Sequence, residues 1–164
     1  MNKKYAFIII FIFVSSMIFS QSDDNKFLDN VRFGGGLGFG FGSNNTTISL
    51  TPVAVYDFNE EFSLGASLGY MYNKSGDFKS NIYSFGLLSL YKPIYQIEFS
   101  FDLKQLFINR SFSTTKDNYS YPSLNVGAAY ISQKVALGIR YDVLYKKDKS
   151  VYPNAFSPFI RVLF

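Results

Sequence analysis

Apolar and polar residues alternate with a period of two through most of the chain, and the alternation is cleanest at 135–145. Val135, Leu137, Ile139, Tyr141, Val143 and Tyr145 share one parity there, while Ala136, Gly138, Arg140, Asp142 and Leu144 share the other. Successive side chains of a strand point to opposite faces, so this spacing predicts a β-strand with one wholly apolar or aromatic face. Tyr95, Ile97, Phe99, Phe101 and Leu103 oppose Gln96, Glu98, Ser100, Asp102 and Lys104 in the same way. Eight such segments are predicted, at 31–42, 46–57, 62–73, 81–91, 95–109, 122–131, 135–146 and 156–164. The fourth is the least regular, because Leu88 and Leu90 fall on the side that carries Ser84 and Gly86.

The first segment, "VRFGGGLGFGFGS", is rich enough in glycine to invite comparison with a phosphate-cradling loop. A Gly-x-Gly-x-x-Gly turn needs its third glycine where this chain has Phe39, and no other starting point completes the spacing. Gly34, Gly36, Gly38, Gly40 and Gly42 instead share one parity, against Phe33, Leu37, Phe39 and Phe41 on the other. That is a strand with a greasy face and a nearly empty one, and the empty face is expected to make room for bulky groups across a narrow interior.

Between the segments lie "SNN", "FNEE", "KSGDFKS", "KPI", "STTKDNYSY", "SQK" and "KDKSVYPNA". After the first, short and long connections alternate, as in an up-and-down meander with tight turns at one end and longer loops at the other. In a soluble barrel the apolar parity would face the core; in a membrane barrel it would face lipid. The opposite parity is rich in glycine and serine rather than lysine, which favours the membrane arrangement. Tyrosines also gather at segment ends, with Tyr56, Tyr91 and Tyr95 at the short-turn end and Tyr70, Tyr72, Tyr121 and Tyr145 at the long-loop end, as in two interfacial girdles. The expected fold is therefore all-β, an eight-stranded antiparallel up-and-down transmembrane β-barrel.

Composition adds an export reading. Lys3 and Lys4 precede an apolar run from Tyr5 to Val14, followed by Ser15, Ser16 and Ser20. This is the pattern of a cleaved secretory leader, too short for a membrane anchor. The expected organisation is residues 1–20 as signal peptide, 21–30 as a short periplasmic segment and 31–164 as barrel. Loss of the two leader lysines reduces the formal charge of +4 to about +2, too little to argue for nucleic acid. The absence of cysteine removes both a disulfide framework and a lipoprotein acceptor.

The last residues, "PFIRVLF", place Phe156, Ile160, Val162 and Phe164 on one parity. This resembles the C-terminal strand of Gram-negative outer-membrane barrels, and the resemblance implies that these four residues act as an assembly signal read by the outer-membrane assembly machinery. In architecture the whole mature chain is similar to the small OmpA/OmpX-type barrels, and in style to a group of exported barrels sometimes labelled alpha-ketoglutarate decarboxylase. The enzymatic label finds no support in the residues, since such an enzyme carries a Gly-Asp-Gly metal motif and this chain has only "SGDF" at 75–78. The resemblance implies residence in the outer membrane of a Gram-negative bacterium, among its lipids and lipopolysaccharide.

The candidate chemistry is sparse. With neither histidine nor cysteine, the usual bases, thiol nucleophiles and Cys/His metal sites are missing, and no cofactor is expected. Arg32, Glu98, Asp102, Lys104, Arg140, Asp142 and Arg161 fall on the inward parity and are expected to pair in a lumen network, because buried charges need partners. Lys74, Lys79, Arg110, Lys116, Lys146, Lys147 and Lys149 outnumber Asp77, Asp117 and Asp148 near the long loops, where they can meet lipopolysaccharide phosphates or simply face water. The expected role is non-enzymatic, envelope-structural or surface-interacting through the loops. A small solute or ion pore and a soluble lipocalin-like binding barrel are the alternatives.

Overall fold

The structure, a computed structural model, describes residues 26–164 apart from 43, 44, 77, 113, 114, 148 and 153. The expected leader and the first half of the 21–30 segment, residues 21–25, lie outside the described residues. The chain divides into a unit of residues 1–30, of which one helical turn, α1 (Lys26–Asp29), is described, and a unit of residues 31–164. The second unit is all strand: β1 (Val31–Gly42), β2 (Asn45–Asp57), β3 (Phe62–Ser75), β4 (Phe78–Ile94), β5 (Ile97–Phe112), β6 (Thr115–Ser132), β7 (Val135–Asp142) and β8 (Phe156–Leu163). Each strand pairs antiparallel with the next, and β8 pairs with β1 to close the barrel.

The two inner "long loops" of the sequence reading are largely hairpin. Lys74 pairs with Lys79 across β3 and β4, and Arg110 pairs with Asp117 across β5 and β6. Ladder hydrogen bonds join backbone to backbone and do not require an apolar face, so strands continue past the point where alternation of hydropathy stops marking them. The alternation in length thus belongs to how far the hairpins project. The connection after β7 is the exception. Asp142 Oδ1 accepts from the backbone N–H of Leu144 at 3.0 Å and turns the chain, so the strand ends before Val143 and Tyr145, both read in sequence as part of it. The described residues of this connection then fold back over the barrel mouth at Lys149, Val151 and Tyr152. The N–H of Val151 donates to the Tyr121 hydroxyl at 3.0 Å, and the Tyr119 hydroxyl donates to the Lys149 carbonyl at 3.1 Å.

The inward parity builds a layered interior. Leu88 and Leu90, the misfits of the fourth segment, are almost wholly buried with Val53, Val55 and Leu163 in one apolar cluster. Met71, Ile82, Leu106, Ile108 and Tyr121 form a second, capped by Tyr119, Val151 and Tyr152. Tyr121 therefore lies inside the mouth and not in an outer girdle. The outward parity is exposed and apolar on every strand, as at Phe33, Leu50, Leu68, Phe85, Phe101, Tyr130, Ile139 and Ile160.

β1 and β8 meet at only two register pairs, Gly34 with Leu163 and Gly35 with Val162, extended by a hydrogen bond from the Phe164 N–H to the Phe33 carbonyl at 2.8 Å. The glycine row explains how so short a seam closes. A Cβ on Gly34 would run into the backbone of Val162 and Leu163, and one on Gly36 into the Ile160 carbonyl. Close approach of two backbones, more than room for distant arginines, is what these two glycines provide. At Gly38 the obstacle is only the Ser49 side-chain hydroxyl, which can rotate away. Gly34→Ala should therefore destabilise the closed barrel by about 1–3 kcal/mol while Gly38→Ala stays near wild type, measured as urea midpoints of the detergent-refolded, heat-modifiable form. Equal midpoints for the two variants would remove this account of the seam.

Candidate functional site

The charged residues of the inward parity occupy the space between and below the two apolar clusters. β5 supplies Glu98, Asp102 and Lys104, β7 supplies Arg140 and Asp142, and β8 supplies Arg161; the period of two aims all six into the lumen. Glu98 and Arg161, both buried, form an ion pair. Lys104 Nζ lies 2.5 Å from Asp102 Oδ2. Arg32 forms a two-pronged pair with Asp57, Nε to Oδ2 at 2.6 Å and Nη2 to Oδ1 at 2.7 Å, and Ser63 donates to the same carboxylate at 2.5 Å.

Two of the seven charged residues have no ionic partner among the described residues. Arg140 Nε donates to Ser157 Oγ at 3.1 Å, its Nη2 approaches the Tyr152 hydroxyl at 3.5 Å, and its guanidinium sits 5.7 Å from the centre of the Tyr152 ring. Asp142 accepts from Ser123 Oγ at 2.9 Å and from Leu144 N–H. Sequence reasoning missed Asp57, the last residue of the second predicted segment, as the partner of Arg32. It also missed the polar partners Ser63, Ser123, Asn125, Tyr152 and Ser157, since serine on an inward parity gives no cue to which charge it faces.

Small cavities remain among these residues, two of them near Lys104 and Arg140. One, of about 100 Å³, is lined by Gly36, Gly38, Ser67, Asp102, Lys104, Arg140 and Arg161, with Val53 and Leu88 of the first apolar cluster at its floor. The other, of about 50 Å³, is lined by Ser84, Asn125, Lys104, Arg140 and Tyr152 and by Met71, Ile82 and Leu106 of the second cluster. Ser67 Oγ, Asp102 Oδ1 and Arg161 Nε are buried without a hydrogen-bond partner, and all three residues line the larger cavity. Buried polar atoms of this kind are ordinarily satisfied by water, for which the cavity has room. Among the described residues no cluster of His, Cys, Asp or Glu could hold a metal ion.

A much larger hollow, about 840 Å³, lies on the outer wall. Small outward residues, Pro52, Ala54 and Ala66, sit low between Phe33, Leu68, Phe85, Leu87 and Leu103, and its lining is apolar almost throughout. Gln105 and Pro122, a cross-strand pair, close one side.

No family model matches the chain, and no curated protein matches it. Among solved structures, it is similar to Ail, the attachment invasion locus protein of Yersinia pestis, at 14% identity over 81% of this chain and 92% of that one, with a TM-score of 0.41. It is similar also to Neisserial surface protein A, at 17% identity over 82% of this chain and 94% of that one, again with a TM-score of 0.41. At that distance the likeness carries neither function nor site residues across.

The lumen pairs differ in burial, and their removal should separate accordingly. Glu98→Ala leaves the Arg161 guanidinium buried without its carboxylate and should destabilise the refolded barrel by about 3–5 kcal/mol. Asp57→Ala removes a pair whose side chains are 28% and 26% exposed, and water at the mouth should hold the loss to about 1 kcal/mol. The comparison is read from urea midpoints of the two refolded variants, and a larger loss for Asp57→Ala would reverse this ordering.

Proposed function

We propose that the protein is a non-enzymatic integral outer-membrane barrel that contributes to envelope structure and presents its projecting hairpins and the 143–155 segment at the cell surface. The observation that carries the reading is the outward face: a closed sheet with exposed aromatic and aliphatic side chains around its whole circumference and charge confined within. A water-soluble protein rarely leaves so continuous an apolar surface uncovered, whereas in a bilayer it is the surface that faces hydrocarbon. The outer-wall hollow fits the same reading, since lipid chains fill an apolar dent that water would have to wet. The return of β8 to β1 makes the sheet a ring and not an open ribbon, as a spanning sheet requires. The lack of histidine and cysteine in the sequence supports a role without chemistry. Lys74, Lys79 and Arg110 lie toward the far ends of β3, β4 and β5, and we read them as contacts to lipopolysaccharide phosphates. The outward residues of β8, Phe156, Ile160 and Val162, with Phe164 beyond it, are the edge we assign to recognition by the assembly machinery.

A protease-cleavable tag inserted at 113–114 should be cut on intact cells, and one in the 58–61 turn should be cut only after the outer membrane is opened. Protection of both sites, or cutting of both, would remove the proposed orientation.

The pore alternative is opposed by the two apolar clusters that fill the lumen alongside the charged residues and by Val151 and Tyr152, which fold back over the second of them. The lipocalin-like alternative is opposed by the direction of the apolar face. Refolded protein in planar bilayers should accordingly show no stepwise single-channel currents; reproducible steps would return the choice to a pore.

A further inference from the structure

The smaller lumen cavity has a composition that the ion pairs do not account for. Lys104 and Arg140 both line it, together with Thr51, Ser84, Asn125 and Tyr152, and no carboxylate does. Lys104 is offset by Asp102, which opens onto the larger cavity instead. No carboxylate of the described residues lies within ion-pair distance of Arg140, which shares the larger cavity with Asp102. Its polar contacts among the described residues are the hydroxyls of Ser157 and Tyr152. Asp142 shares its strand and face but is engaged by Ser123 and the Leu144 N–H and lines neither cavity. The result is a guanidinium with no direct ion pair beside a small space lined by hydroxyls and an amide, in a lumen where Asp142 is likewise without an ionic partner among the described residues.

We infer that this cavity is a binding site for a small monovalent inorganic anion, of halide size, held between Arg140 and Lys104. Charge sets the valence, because a partly buried guanidinium with no carboxylate in direct contact is stabilised by one negative charge placed against it. Volume sets the size. A space of about 50 Å³ takes a halide-sized ion and a few waters, since one water needs roughly 10–15 Å³ measured with the same kind of probe, and it excludes an organic acid. The donors set the sign: hydroxyls of Thr51, Ser84 and Tyr152 and the amide of Asn125 can all turn a hydrogen toward an anion. The unpartnered atoms of Ser67, Asp102 and Arg161 belong to the larger cavity, whose mixture of donors and a carboxylate oxygen suits water. The site depends on the lumen alone and stands whichever way the outer face is read.

The test uses the full mature chain refolded in detergent and crystallised with sodium bromide as the only halide. Diffraction data at the bromine edge should show an anomalous peak between the Arg140 guanidinium and the Lys104 ammonium. Arg140→Gln should abolish it, and Arg140→Lys, which keeps the charge, should retain it. In parallel, the wild-type unfolding midpoint should be higher in sodium bromide than in sodium gluconate at equal ionic strength, with the difference lost in Arg140→Gln. A cavity holding only water, or a peak that survives Arg140→Gln and so marks an adventitious ion, overturns the inference. If Arg140→Gln does not refold, the wild-type peak decides by its presence or absence.

Discussion

Everything inside this barrel follows from the width of a closed eight-stranded sheet. Eight strands enclose a space that side chains must fill, with no channel left over, so each inward residue is chosen against those facing it across the lumen. Once the ladder closes, there is also no freedom to turn a misfit side chain outward, because a shift of one residue would exchange the two faces of the whole strand. Leu88 and Leu90 are inside for that reason. They interrupt a polar face as seen along β4 alone, yet across the barrel they meet Val53, Val55 and Leu163, which need apolar neighbours.

The same constraint explains why the charges are in pairs and the pairs in layers. A lone carboxylate at Glu98 would be prohibitive to bury, and the adjacent arginine at Arg161 makes it tolerable. Each pair still needs its remaining hydrogen-bonding capacity met, and the narrow lumen meets it with serines, asparagine and small water-sized spaces in place of further charge. The Glu98 and Arg161 side chains are nonetheless only 3% and 9% exposed, and a pair so far out of water attracts more strongly than one in it. Arg32 and Asp57, near the short-turn mouth and partly exposed, carry the same chemistry where water weakens it.

The fold was legible because lipid-facing and lumen-facing residues alternate with a period that one sequence displays. Strand number and order could be read from the eight alternating segments, and at 95–104 and 135–142 the alternation also put Glu98, Asp102, Lys104, Arg140 and Asp142 on one face without knowing a single contact. What could not be read lay in two places. Beyond the apolar band both faces of a hairpin are polar, so β3 to β6 run past their sequence boundaries at Lys74, Lys79, Arg110 and Asp117. Partner choice in the lumen was illegible too, because it is set by shear between strands far apart in the chain. Glu98 meets Arg161, 63 residues on, while Arg140 on the intervening strand turns to Ser157 and Tyr152.

The 143–155 segment shows how an uneven wall becomes a closed one. β7 and β8 are eight residues each, whereas β4, β5 and β6 have 17, 16 and 18, so one side of the mouth stands lower than the other. Connecting the two short strands by a tight turn would leave Met71, Ile82, Leu106 and Ile108 open to water on the tall side. A longer segment that folds inward covers them with Val151 and Tyr152, and it is tied there by Tyr119 and Tyr121 from β6. Tyr152 thereby serves two surfaces at once. Its ring closes the apolar cluster, and its hydroxyl and ring face meet Arg140 below. Closure of the mouth and stabilisation of the unpaired lumen cation are consequently the same physical event, and a segment that lifted away would expose both.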